Sequence, residues 1–280
     1  MSDPIAALDA IGQLPDSEID IAEAALQLAR IDLPDADERA ARQHLSEIAQ
    51  QAVAAGREIG PHDIAGQADV LAQLIGGQFG YHGDPARYEE PDNANLLRVI
   101  ERRRGLPVAL GVIWLHAIAA NGWQGHGVNF PGHFLIALSD DQPKGGARQV
   151  VIDVFAGGQP LSVPELRTLV KSVEGEKAEL RAALLRPMSN RAVLLRLQNN
   201  ITSRRLAARD VPGALACTEN MLRFAPEEAN LWREAGNLNQ TLDHLAAAMR
   251  CYERCLALIP EGEYATQTRS KIAELRSRLN

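Results

Sequence analysis

A helix that is apolar on nearly every side, followed at once by strands, most constrains what this chain can fold into. The helix is predicted from Pro107 through Ile118 and is expected to stop at Asn121-Gly122. Proline fits its first turn, where a missing N–H leaves no bond unmade. A helix without a polar face is buried, so other elements must cover it. Strands are predicted at 126–130, 133–138 and 149–155, and helix followed by strands indicates an α+β core.

Residues 1–80 are predicted to be helical, because their apolar residues recur at helical spacing. Acidic residues at 35–38 supply a cap for the second helix, and Gly76-Gly77 are expected to end the third. Beyond this region we expect a loop at 80–93, a short helix at 96–100 and a polar turn at 140–146.

The last third of the chain carries a repeat. Pro226 and Pro260 are 34 residues apart, the period of a tetratricopeptide unit. The unit that ends at Pro260 fills the motif's W, G, A and F/Y stations with Trp232, Gly236, Ala248 and Tyr252. The preceding unit matches only at Ala214 and Pro226, and Ile272, Leu275 and Leu279 suggest a capping helix. We therefore predict two regions, residues 1–188 and residues 189–280, with the repeats packed on the first region.

Three elements in the first region are those of a Cys-His-Asp thiol site: a helix start, a His on one strand and an Asp on the next. Such a site needs a cysteine at the helix N-terminus, where the helix dipole stabilises the thiolate. It also needs an imidazole to take the proton and a carboxylate to orient that imidazole. His133 and Asp153 are present, but the helix start holds no cysteine. The three cysteines, Cys217, Cys251 and Cys255, lie in the repeat region, where we expect them to be core residues.

The chain resembles the SirB-type bacterial proteins, in which a transglutaminase-like, papain-like core is followed by tetratricopeptide repeats. The resemblance covers roughly residues 20–270. It is carried by the sequences RGLPVALG at 104–111, VNFPGHF at 128–134 and IDVFAGG at 152–158. It implies an α+β fold with a helical N-terminal region and an all-α repeat segment. It also implies that His133 is the general base and Asp153 the orienting acid.

The same resemblance puts the cysteine station at Pro107, counting back from Gly122. Proline has neither a nucleophile nor an N–H, so an acyl-enzyme step cannot start there. Two interpretations of His133 remain open: it binds a ligand or activates water, or it is a buried residue satisfied by Asp153. Asn129 is a candidate polar contact beside it. No metal site or phosphate loop is predicted, because the His, acid and Gly residues lack the required spacings.

Composition limits the partners. The net charge of −7 argues against nonspecific nucleic-acid binding, and the one dense basic cluster, 102–104, is expected to be a solvated helix end. No apolar run approaches the roughly 20 residues of a membrane span. The acidic N-terminus lacks the features of a signal peptide, and three cysteines make no disulfide framework. A cytoplasmic protein without a cofactor is expected.

Three functions follow as hypotheses. The first, which we favour, is a non-catalytic protein or pseudoenzyme that binds a protein or peptide through the core groove or the repeats, with Trp232 as a candidate contact. The second is a hydrolase or transferase that uses a His133–Asp153 dyad as general base. The third is a regulatory scaffold in which the repeats bind the partner.

Overall fold

The computed structural model describes residues 3–142 and 146–279. The chain divides into two compact units: a core unit at 16–197, and a helical unit that joins the residues up to Pro15 to those from Gln198 onward. This division differs from the predicted boundary at 188/189 in two ways. It falls inside a helix, and it groups the N-terminal helix with the C-terminal helices.

Helices of the core unit begin where the sequence supplies a cap. Asp20, Asp37 and Asp63 each precede a helix and accept hydrogen bonds from its first backbone N–H groups, as a capping carboxylate does. The helices are α2 (Ile21–Asp32), α3 (Glu38–Gly56), α4 (Ile64–Leu71), α5 (Leu96–Arg102), α6 (Pro107–Ala120) and α7 (Val163–Glu174). The predicted stop of α6 at Asn121 is confirmed.

A five-stranded antiparallel sheet forms the rest of the core unit, with the strand order β6-β5-β4-β3-β7. Its strands are β3 (Gly125–Phe130), β4 (His133–Gln142), β5 (Gly146–Asp153), β6 (Gln159–Leu161) and β7 (Pro187–Met188). A separate parallel pair joins β1 (His82–Gly83) to β2 (Arg104–Gly105). The predicted polar turn at 140–146 begins within β4, and its residues 143–145 lie outside the described residues.

Helix α6 is the centre of the core unit. Its side chains from Val108 to Leu115 are buried, including Trp114, and helices α2 and α3 cover it on the side away from the strands. On the strand side, Gly111 lets the helix approach the Phe134 ring so closely that an added Cβ would lie 2.3 Å from it. The opposite face of the sheet packs on α7 through Val128, Phe130, Leu135, Ala137 and Val151.

Two local expectations are wrong. Gly76 and Gly77 do not end the third helix, because α4 continues into a π-helical segment, Ala72–Gln78, that contains both. The arginines at 102–104 are not a solvated helix end. Arg102 is 23% exposed and donates to Glu90 at 2.9 Å, and Arg104 donates to the Gly80 carbonyl at 2.9 Å. Each of these residues makes long-range contacts that its neighbours in sequence do not reveal.

The helical unit contains α1 (Pro4–Gly12), the end of α8 (Asn190–Ala207), α9 (Val211–Phe224), α10 (Ala229–Thr241), α11 (Leu245–Leu258) and α12 (Glu263–Leu279). Helix α10 packs on α9, α11 on α10 and α12 on α11, and α1 packs on α9. The predicted small residue at the α10–α11 contact is Gly236, where a Cβ would lie 2.5 Å from the Tyr252 ring. The predicted fold class, an α+β core with an all-α repeat segment, is confirmed. Within the described residues no helix is long and apolar enough to cross a membrane.

Replacing Gly111 by alanine tests the packing of α6 on the sheet. We expect Gly111→Ala to lower the free energy of unfolding by about 1–3 kcal/mol, because the new methyl group overlaps the Phe134 ring. Gly77→Ala is the matched control, since its Cβ would come no closer than 3.9 Å to the Ala72 carbonyl. That change is expected to be neutral or stabilising by about 0.4–1 kcal/mol. Urea unfolding of both variants measures the difference, and equal stabilities would contradict the close approach.

Candidate functional site

The motif that contains His133 is first of all a hairpin. Phe130 and His133 pair across β3 and β4, so Pro131 and Gly132 are the two residues of the connection. Gly132 has φ = +67°, and proline followed by a left-handed glycine is the sequence of a type II turn. The turn therefore fixes His133 as the first residue of β4.

Strand alternation then decides which way His133 faces. Successive side chains point to opposite faces of a strand, so His133 shares a face with Leu135 and Ala137, which pack on α7. The next residue, Phe134, packs on the other face against Gly111 of α6. His133 thus lies on one face of the sheet. Helix α6, whose start is the predicted cysteine station, packs on the other face.

Asp153 ends β5 and caps the turn that follows it. Its carboxylate accepts the N–H groups of Phe155 at 2.9 Å and Ala156 at 3.2 Å. Continuing the β4–β5 register places it on the same face as His133 but diagonally across, where Cα atoms are about 7–8 Å apart. Among the described residues no hydrogen bond or ion pair joins the carboxylate to the His133 ring. The structure brings the two residues to one face without forming the predicted dyad, and their assigned roles stay predictions.

Pro107 is the first residue of α6, as predicted. Leu106 precedes it in an extended conformation, with no side-chain cap, and donates its N–H to the Asn93 carbonyl at 2.8 Å. The helix start is therefore held by backbone contacts and carries no thiol. Cys217 and Cys255 are buried in the helical unit and Cys251 is half-buried there, and burial raises the pKa of the Cys251 and Cys255 thiols.

Arg196, which the sequence did not single out, is the polar centre of the α6 side of the sheet. This half-buried residue of α8 donates to the Asn129 amide oxygen and, at 3.0 Å, to the His133 carbonyl. Its guanidinium carbon lies 5.7 Å from the centre of the Phe134 ring, within the range of a cation–π contact. Burial lowers the pKa of the Arg196 guanidinium. Asn129, a predicted contact, is thus oriented by an arginine 67 residues further along the chain.

The one sequence signal for Arg196 is its neighbours. It interrupts the run Leu194-Leu195-Arg196-Leu197, and Leu194 and Leu197 are buried. An arginine amid leucines on a helix that packs against a sheet has to find polar partners. The pattern indicates that such partners exist but does not name Asn129 or His133.

The loop after Asp153 is held by close backbone contacts. The Phe155 carbonyl accepts the Gly83 N–H at 2.9 Å. Gly158, at φ = +95°, lies against the Trp114 ring. A Cβ on Gly76 would be 2.2 Å from the Gly157 carbonyl, which explains why the π-helical segment carries glycine there. These contacts hold the loop in place next to β5. The ring centre of the exposed Tyr88 lies 5.8 Å from that of Phe155.

Trp232, the other predicted contact, lies in the helical unit. Its indole N–H donates to the Pro226 carbonyl at 2.7 Å, and the side chain is half-buried. This bond ties α10 to the proline turn that precedes it, so Trp232 has a structural partner, and its role in binding stays a prediction. Among the described residues no group of three or more His, Cys, Asp or Glu side chains is placed to hold a metal ion.

Comparison with known proteins identifies the family. The transglutaminase-like superfamily model "Transglut_core2" matches residues 39–199, and a tetratricopeptide-repeat model matches residues 201–279. A UPF0162 protein of Xylella fastidiosa (strain 9a5c) is 32% identical over 71% of this chain and 70% of its own. A UPF0162 protein of Pseudomonas aeruginosa is 28% identical over 96% of this chain and 95% of its own.

The alignment with a solved structure of menin covers 98% of this chain and 75% of the menin chain. The TM-score is 0.38 and the sequence identity 9%, so this likeness carries no argument. The family model and the bacterial relatives, in contrast, cover most of the chain and agree with the fold described above. The chain belongs to the UPF0162, or SirB-type, family and joins a transglutaminase-like domain to tetratricopeptide repeats.

Proposed function

We propose that this chain is a non-catalytic binding protein of the cytoplasm whose transglutaminase-like core and repeats bind a protein or peptide. The observation that carries the proposal is Pro107 at the first position of α6. A thiol enzyme needs a cysteine at that helix end, because only there do the dipole and the free N–H groups stabilise the thiolate. Proline supplies neither the thiol nor an N–H.

The position of Asp153 supports the same proposal. An orienting acid must hold the imidazole by a hydrogen bond, whereas this carboxylate accepts two N–H groups of its own turn. The alternative, a hydrolase or transferase with a His133–Asp153 dyad, requires the turn to release the carboxylate. The binding hypothesis requires no such rearrangement.

The surface around the exposed Asn129 side chain, which we call the β3 edge, is the part of the core that we assign to the partner. Strand β7 pairs with Gly127 and Val128, and the turn before it, Ala182–Leu185, also packs on β3. A partner is therefore expected to contact side chains at this surface rather than to add a strand to the sheet. Asn129 is exposed, and Arg196 orients its amide, whose N–H groups can donate to a peptide carbonyl. The repeats, a type of module that commonly binds proteins, would supply the second contact.

Installing the missing thiol tests the non-catalytic part of the proposal. We expect Pro107→Cys and Pro107→Cys/His133→Ala to react with iodoacetamide at the same rate at every pH, because His133 faces away from α6. The rate is measured from pH 5 to 10, with the wild-type chain as the background of native cysteines. A thiol pKa that is lower when His133 is present would contradict this expectation and favour the enzyme alternative.

Peptide selection tests the binding part. Peptides selected from a display library on the full chain are expected to bind Arg196→Met about tenfold more weakly, because this variant no longer holds the Asn129 amide in place. Arg196→Lys should recover only part of the affinity, since it lacks the planar fork. Arg167→Met, at an exposed position on α7, is the control and should bind normally. Fluorescence anisotropy gives the affinities.

The result also separates the core from the repeats. If Arg196→Met binds like wild type while Trp232→Leu loses affinity, the core edge is not the binding surface. That outcome would favour the third hypothesis, a scaffold in which the repeats alone bind the partner.

A further inference from the structure

A cavity lies in the core unit, between α3 and α5, and has no role in the function proposed above. Its volume is about 420 Å³, within the range of small-molecule sites, roughly 300–1,000 Å³. Its lining includes four apolar residues, Ala40, Ala41, Leu97 and Ile100, which we call the apolar wall, together with polar residues that include His44 and Arg103. The cavity can therefore take a molecule with an apolar body and a polar end.

Arg103 closes α5 in a conformation that normally belongs to glycine. Its φ and ψ are 58° and 24°, the left-handed region, at the position just past the helix. Most other residues adopt this conformation only at a cost in free energy, because Cβ crowds the backbone. A strained residue in a cavity wall is a common mark of a functional site. Here the strain places a guanidinium at the cavity.

Neutral groups hold that guanidinium in place. It donates to the Tyr81 hydroxyl at 2.5 Å and to the Ile100 carbonyl, and it stacks 4.9 Å from the Tyr81 ring centre. Burial raises the pKa of the Tyr81 phenol, so this partner carries no charge. The contacts orient Arg103 but leave its positive charge uncompensated.

The acids of the cavity have other partners. Glu101 pairs with Arg98 at 2.8 Å, and Asp37 accepts the Ala40 N–H at 3.1 Å as the cap of α3. Among the described residues no carboxylate lies within 4.0 Å of the Arg103 guanidinium. The positive charge of Arg103 is therefore not paired with a carboxylate, and an anionic ligand could pair with it.

His44 makes the polar end more specific. Its Nδ1 lies 3.4 Å from Arg103 Nη2 and 3.4 Å from Oε2 of Glu47. The Glu47 side chain is exposed. Burial, with the charge of Arg103, lowers the pKa of this imidazole, so it is neutral at pH 7. With His44 neutral and Arg98 paired with Glu101, Arg103 is the positive charge that a ligand would pair with, which favours a single negative charge.

We propose that this cavity binds a short aliphatic monocarboxylate, with the carboxylate on Arg103 and the chain on the apolar wall. The proposal is independent of the peptide-binding function, because no cavity residue belongs to the β3 edge or to Arg196. A carboxylate matches the planar fork of arginine. The apolar wall would provide the rest of the affinity by burying the ligand's methylene groups.

Calorimetry on the full chain with sodium octanoate tests the proposal, with 1-octanol as the uncharged probe of equal length. We expect octanoate to bind at least about tenfold more tightly than octanol, since only octanoate makes the charge-assisted bond. Acetylated Ala-Leu with a free carboxylate is a third probe. Tighter binding of this peptide than of octanoate would overturn the assignment to a free acid.

Two variants separate binding from folding. Arg103→Gly removes the guanidinium while suiting the left-handed backbone, and it should lose octanoate binding about tenfold or more. Ala40→Leu leaves Arg103 in place but fills the cavity from the exposed side of α3, and it should also lose binding. Arg39→Gln, at an exposed position of α3 outside the cavity lining, is the control and should bind normally. Equal affinity for octanoate and octanol, or binding that survives both Arg103→Gly and Ala40→Leu, would overturn the proposal.

Discussion

The burial of α6 is the constraint on which the core unit depends. A helix with Val108, Leu110, Val112 and Trp114 on different sides has no face for solvent, so it needs neighbours all round. The sheet covers one side and α2 and α3 cover the others. Because the sheet approaches at Gly111, β4 must present Phe134 to the helix and hence His133 to the other face. The position of the candidate site is therefore a consequence of core packing.

Much of the fold could be predicted from the sequence because the signals are local. Caps at Asp20, Asp37 and Asp63, the apolar helix and the 34-residue repeat spacing all act within a few turns of the chain. The errors occurred where a distant contact decides. Gly76 looks like a helix stop, but it is glycine because the Gly157 carbonyl, 81 positions further along, approaches it.

The candidate site was less predictable for the same reason. The sequence correctly predicted strands on both sides of Pro131-Gly132, but it placed Asp153 inside a strand that in fact ends there. Pro131 and Gly132 are the residues that a type II turn favours, and Asp153 accepts a hydrogen bond from the turn that follows it. Local turn chemistry therefore explains these residues. Which face His133 takes depends on the packing of the whole sheet. Arg196 contacts Asn129 across 67 residues, so no local pattern could pair them.

Two half-buried arginines of the core unit are each oriented by neutral acceptors. Arg196 donates to the Asn129 amide and to a backbone carbonyl, and Arg103 donates to a phenol and to a backbone carbonyl. At Arg103, neutral acceptors orient the guanidinium without pairing its charge with a carboxylate, at a desolvation cost that an incoming anion would offset. At the start of α6, in contrast, proline offers neither a nucleophile nor an N–H. These contacts support the binding proposal, because an oriented arginine can hold a ligand, whereas the first position of α6 offers no thiol for an acyl-enzyme step.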